Sequence, residues 1–248
     1  MKGMLLKDSI LLKKNMILSA VVFLFIGLLF VLVRISMEHG NLAKDEEIRQ
    51  SLLSNQFLFY YISPLVLFLM GVDHVAGTIG LDMTSGWMRF LFSETGDRSR
   101  YVRGKICFTV LEYGGMLLIA FGYLWLMTAL SGESITWSRA GNLSIIWLLC
   151  LSAALLQSLL TVGVENKEKA QIIMMIPIIL LYFVFSGVMI NKLEEMYLND
   201  GSTPLDVLRE ELMAAQSWLI PAAVIGSAVI LTGGYFLSVE FLKRREIK

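Results

Sequence analysis

Residues Asp73–Lys105 read DHVAGTIGLDMTSGWMRFLFSETGDRSRYVRGK, and the reading of this stretch decides how the whole chain is threaded. Long apolar runs flank it, which makes it the longest polar interval expected on one side of a bilayer. It enters through glycines, passes an amphipathic piece at Gly86–Phe92, turns at Ser93–Asp97 and ends on Arg98, Arg100, Arg103 and Lys105. A helix across Trp87–Phe92 places Trp87, Phe90 and Leu91 on one side, three and four residues apart, with Arg89 facing away. Such a piece is too short to span a membrane and lies along its surface. Two readings stay open on periodicity alone: a surface helix that receives force from outside, or an ordinary interfacial loop whose arginines only set topology.

Composition fixes the class on either reading. The chain is 56% hydrophobic and 17% charged, with a mean hydropathy of +0.68, which is far too apolar for a soluble domain. The sequence predicts an all-α integral membrane protein, one transmembrane domain over residues 1–248. Six runs approach the roughly 20 residues that a helix needs to cross the hydrocarbon core. They are placed at about 16–34, 55–73, 106–130, 143–164, 170–190 and 218–240. Pro64, Pro177 and Pro221 fall inside three of them and are tolerated there because neighbouring helices satisfy the freed carbonyls. Cys107 and Cys150 both sit in apolar runs without metal-ligand spacing, and read as packing residues.

The basic residues set the orientation. Fifteen of the 21 Lys and Arg fall in the N-terminal segment, the second and fourth loops and the tail, and six fall on the other side. The positive-inside rule therefore places both termini in the cytoplasm. Formal net charge is zero, so no basic excess points to nucleic acid. The opening MKGMLLKDSILLKKN interleaves apolar residues with Lys7, Asp8, Lys13 and Lys14 and has no cleavage site after the apolar run. It reads either as an amphipathic helix in the inner interface or as a lysine-rich flank that sets topology. The first exterior loop can form a short helix through Leu42, Ile48, Leu52 and Leu53. Thr203, Pro204 and Asp206 carry an N-terminal capping pattern for a helix leading into Trp218, read as an exterior lid or a simple cap.

A few polar groups sit in or near the spans. Glu112 falls about 9 Å along the third span from Ile106, and a buried acid there either lines a pathway or pairs with a neighbour such as His74. Asp73 and His74 are placed at the end of the second span. Gln157, with Ser152, Ser158 and Thr161, reads as glue between helices. No phosphate loop, HExxH, GxSxG or paired-cysteine motif occurs, so neither a catalytic residue nor a metal site is expected.

The opening MKGMLLKDSILLKKN, then Asp82, Ser85, Gly86 and Trp87, and then the basic run Arg98–Lys105 resemble bacterial ABC-2 type transporter permeases. One departure is local: the family often has Leu-Pro before the basic turn, where this chain has Ser93–Asp97. The resemblance implies a multi-pass permease subunit of an ABC exporter in the bacterial plasma membrane. Its pathway would form with a second copy or a related permease, and two cytoplasmic ATPase subunits would supply ATP and Mg, with no cofactor bound by this chain. A coupling helix between spans two and three would then use Gly86, Trp87, Arg89, Phe90, Leu91, Arg98 and Arg100. The few fixed charges in the spans suit an amphipathic or apolar cargo such as a peptide or drug-like molecule. The alternative is a non-transporting anchor or sensor that holds a cytoplasmic partner by the same loop.

Overall fold

The computed structural model describes residues 2–39, 56–95, 97–132, 134–164, 166–176 and 204–244. They form α1 (Lys2–His39), α2 (Gln56–Thr84), α3 (Trp87–Thr95), α4 (Arg98–Leu130), α5 (Trp137–Val164), α6 (helical over 167–176) and α7 (Pro204–Arg244). There is no strand among the described residues. Among the described residues five helices are long and apolar enough to cross a membrane, over Gly3–Ser36, Tyr60–Thr84, Arg98–Leu130, Trp137–Val164 and Val224–Arg244. Most of the span expected at 170–190, and the exterior helix expected through Leu42–Leu53, lie outside the described residues.

Several boundaries differ from the sequence reading, and α5 too starts earlier, at Trp137 rather than 143. The N-terminal surface helix and the first span are one unbroken helix of 38 residues, about 57 Å long, so α1 overshoots the roughly 30 Å hydrocarbon core. Leu12 and Asp8 are buried against the bundle, and this packing keeps the lysine-rich turns helical. The second helix does not stop at Asp73 but runs on to Thr84. Gly77 and Gly80 weaken it by about 1 kcal/mol each, yet Val75, Ala76, Thr78 and Ile79 are all buried, and that packing outweighs the glycines. The third span begins at Arg98 rather than Ile106, because Asp97 caps it by accepting a hydrogen bond from the Arg100 backbone N–H at 2.9 Å. At the other end of the chain Pro204 opens α7, which continues through Trp218 and Pro221 without a break.

Two apolar clusters hold the helices together. One contains Phe68, Tyr113, Ala120, Leu124, Leu143 and Ala154 from α2, α4 and α5. Here the Tyr113 hydroxyl donates to the Phe68 carbonyl at 2.9 Å, and Trp147 Nε1 donates to the Tyr113 carbonyl at 2.8 Å. The other sits at the basic end, where Val75, Ile79, Met88, Phe92, Tyr101 and Val102 meet Val162 and Leu242. Outward faces are apolar too: Leu24, Phe25 and Leu28 on α1 and Leu111, Leu118 and Trp125 on α4 are exposed. An apolar surface over helices this long is what a chain solvated by lipid presents.

The close approach of α2 to α4 depends on Gly71, where a Cβ would come within 2.9 Å of Met116 Cε and 3.3 Å of the Tyr113 ring. Gly71→Val is expected to force Met116 to swing aside against the Tyr113 ring and cost about 1 kcal/mol, read as a lower unfolding temperature of the detergent-purified protein. An unchanged midpoint would contradict this contact.

Candidate functional site

The site is built where α2 ends. Ser85 N–H still reaches Leu81 O at 2.9 Å, and Gly86 then takes φ 74°, a left-handed conformation that a residue with Cβ adopts only under strain. The chain turns there and starts α3, whose Phe90 N–H returns to the Gly86 carbonyl at 3.1 Å.

The inward face of α3 is not the expected one. Met88 and Phe92 are buried, with Leu91 packed beside them, and Phe92 meets Tyr101 edge-on at 5.7 Å. Residues 88, 91 and 92 form the i, i+3, i+4 set that docks on the bundle, so Phe90, two positions from both buried anchors, must point outward. Phe90 is 56% exposed, and Arg89, Ser93 and Glu94 are exposed with it. Of the expected set of three, Leu91 turns inward and Phe90 outward. Trp87 is half-buried, its ring 5.7 Å from Phe90 and capped by Lys7 Nζ at 4.8 Å. Arg98 lies over the Phe92 ring at 5.8 Å and donates from Nη1 to the Lys243 carbonyl at 3.3 Å, while Arg100 is exposed.

Directly inside α3 lies a buried charge network. Lys105 Nζ donates to both Asp8 oxygens at 2.9 Å and to Thr78 Oγ1 at 3.0 Å, and sits 2.8 Å from Asp82 Oδ2. Lys7 pairs with Asp82, and the Tyr101 hydroxyl donates to Asp82 Oδ2 at 3.1 Å. Two buried acids are thus matched by the buried Lys105 and the partly exposed Lys7, an arrangement that is costly to break. The network joins α1, α2 and α4 immediately behind the surface helix. Lys7 and Asp8 are therefore structural partners of the loop, whereas Lys13 and Lys14 are exposed. Sequence reasoning grouped Lys105 with the topology-setting arginines and used Asp82 only for the family resemblance. Two acids in otherwise apolar surroundings were the available signal, but nothing in the spacing pairs residues 97 positions apart.

The remaining polar residues also form pairs. His74 Nδ1 lies 2.5 Å from Glu112 Oε1, and its Nε2 is 3.4 Å from Ser19 Oγ. Glu112 thus pairs with His74, one of the two roles its sequence allows, and Oε2 is buried without a hydrogen-bond partner. Because α4 starts at Arg98, Glu112 lies about 21 Å along that helix, well inside the bundle. Gln157 donates to Asp73 Oδ1 at 3.0 Å, Gln171 donates to the same oxygen at 2.6 Å, and Lys167 reaches Oδ2 at 2.5 Å. Ser152 bonds Ser227 at 2.7 Å. Gln157 and Ser152 do tie helices together, but Ser158 and Thr161 return to their own helix, to the carbonyls of Ala154 and Gln157.

A family model described as ABC-2 family transporter protein matches residues 48–243. The match begins after α1, so the opening MKGMLLKDSILLKKN carries none of it, while α2, α3 and the basic run lie within it. Comparisons with curated proteins and with solved structures gave no match. With more than three quarters of its length matched and five helices fit to cross a bilayer, the chain belongs to the ABC-2 transporter family, whose membrane permeases work with a cytoplasmic ABC ATPase.

Proposed function

We propose that this chain is the permease subunit of an ABC exporter, that two permeases form the pathway between them, and that two separate ATPase subunits dock on α3. The observation that carries this reading is the division of α3 into two faces. Arg89 and Phe90 point outward, while Met88, Leu91 and Phe92 key the helix into the bundle. A push on α3 from an ATPase pair closing on ATP would pass through Phe92 to Tyr101, and from Tyr101 through Asp82 to Lys7 and Lys105. Those groups belong to α1, α2 and α4, so three membrane helices would shift together. The buried charged groups His74, Glu112, Asp8, Asp82 and Lys105 are engaged with one another, which favours an amphipathic or apolar cargo over an ion or a sugar.

The test is ATP hydrolysis by the ATPase–permease complex reconstituted in vesicles. Amphipathic peptides or drug-like amphiphiles are expected to stimulate it several-fold, and to accumulate on the side away from the ATPase. Hydrolysis that ignores every such compound, with no accumulation, would instead favour a non-transporting anchor.

A further inference from the structure

One carboxylate, that of Asp73, joins three helices. Gln157 of α5 donates to its Oδ1, and Gln171 and Lys167 of α6 reach Oδ1 and Oδ2. Asn166 sets the start of α6: its Oδ1 accepts from the Lys169 N–H at 3.0 Å, and its carbonyl accepts from the Ala170 N–H at 3.0 Å. Lys167, Ala170, Gln171 and Met174 then recur at helical spacing. Ala170 and Met174 are buried, so this is the face that α6 turns to the bundle.

The lysine follows a track in α2. A Cβ at Gly80 would lie 3.6 Å from Lys167 Cβ, and a Cβ at Gly77 would lie 3.5 Å from Lys167 Nζ. Gly80, Gly77 and Asp73 stand three and four residues apart on one face, so the side chain passes over both glycines before it meets the carboxylate. The two residues that weaken α2 as a helix therefore leave room for this one stem.

The three donors are not equal. Gln157 is 4% exposed, and α5 is held to α2 by the apolar cluster that contains Phe68, Leu151 and Ala154. The Lys167 and Asp73 side chains are 33% and 43% exposed, against 5% and 2% for Lys105 and Asp82. An ion pair so open to water contributes little net stability and is readily broken and remade, whereas the buried pair is costly to break.

We infer that the start of α6 is a strap across α2, closed in this structure by the Lys167–Asp73 clasp. Breaking the clasp lets residues 167–176 swing off the Gly77–Gly80 track while α5 stays in place. Lys167 and Lys169 lie on the side that the positive-inside rule gives to the cytoplasm, so the strap opens there. None of this depends on a cargo or on an ATPase partner.

The purified full chain alone, in nanodiscs, tests this. A carbodiimide joins a carboxylate to an amine only where the two touch and the reagent can enter. It is expected to link Asp73 to Lys167 and to leave the buried Lys105–Asp82 pair unlinked; absence of the Asp73–Lys167 product would overturn the clasp. Amide hydrogen exchange over residues 167–176, read by mass spectrometry, then reports the swing. The linked protein is expected to exchange there about fivefold more slowly than the unlinked one, the factor that an exposed ion pair can supply. Equal exchange before and after linking would mean that α6 does not leave α2, and the strap would fall. Lys167→Met is expected to speed exchange over the same residues about fivefold while the α4 segment around Glu112 keeps its rate; an unchanged rate at 167–176 would also overturn the clasp. Gly77→Leu blocks the track without altering any charge and is expected to lower the crosslink yield several-fold, and an undiminished yield refutes the path assigned to Lys167. Should a variant fail to fold, the comparison of linked with unlinked wild-type protein decides by itself.

Discussion

Arg89→Glu combined with Phe90→Asp is expected to abolish copurification of the ATPase, while the permease inserts and accumulates as the wild type does. Both side chains face away from the bundle, so their replacement leaves the packing of Met88, Leu91 and Phe92 intact. An exposed aromatic beside an arginine is the composition of an interface hot spot, where loss of one residue typically costs 2 kcal/mol or more. Two such losses with reversed charge weaken the complex by well over about thirtyfold. Affinity capture from native membranes, with the ATPase quantified against the permease, reads the effect directly. Retention of the ATPase at the wild-type ratio would remove α3 as the docking site. Phe92→Ala is the useful contrast: its ring packs on Tyr101, so its main effect is expected on stability rather than on the partner.

Lys105→Met is expected to cost the protein about 3–5 kcal/mol, a large share of the 5–15 kcal/mol that typically holds a domain together. The substitution preserves much of the side-chain volume and removes the charge. Asp8 and Asp82, 0% and 2% exposed, then share Lys7 alone, and one buried carboxylate is left without its counter-ion. A sharp fall in the unfolding temperature, or loss of monodisperse protein in detergent, reports the cost. Asp8→Asn added to Lys105→Met removes the stranded charge and is expected to recover most of the loss, and with Asp8→Asn alone measured beside them the set completes a double-mutant cycle. If the single variant melts with the wild type, the network does not bind the N-terminal turns of α1 to α4. If the double variant folds but ATP hydrolysis by its complex with the ATPase no longer responds to cargo, the same residues also carry force from α3.

Membrane class and approximate helix placement were legible because hydropathy is summed along the chain and a bilayer selects on that sum. The helix boundaries were less legible. Asp73 and His74 look like the end of a span, and only the buried Val75, Thr78 and Ile79 beyond them show that α2 continues. In α3 periodicity pointed to 87-90-91, but the triplet that docks is 88-91-92, which has the same helical spacing. The choice was made by Tyr101 and the adjoining helices, which supply a partner for Phe92.

By itself, then, the sequence determined that this chain lives in a membrane, that its described apolar runs are helical, and where its basic residues concentrate. These are properties of local composition, and no neighbour is needed to define them. The tertiary structure decided which charges meet: Lys105 with Asp8 across 97 positions, and His74 with Glu112 across 38. Such pairs depend on how far each helix slides and turns against the next, and packing at contacts like Gly71 against Met116 sets that register, which no one-dimensional pattern encodes.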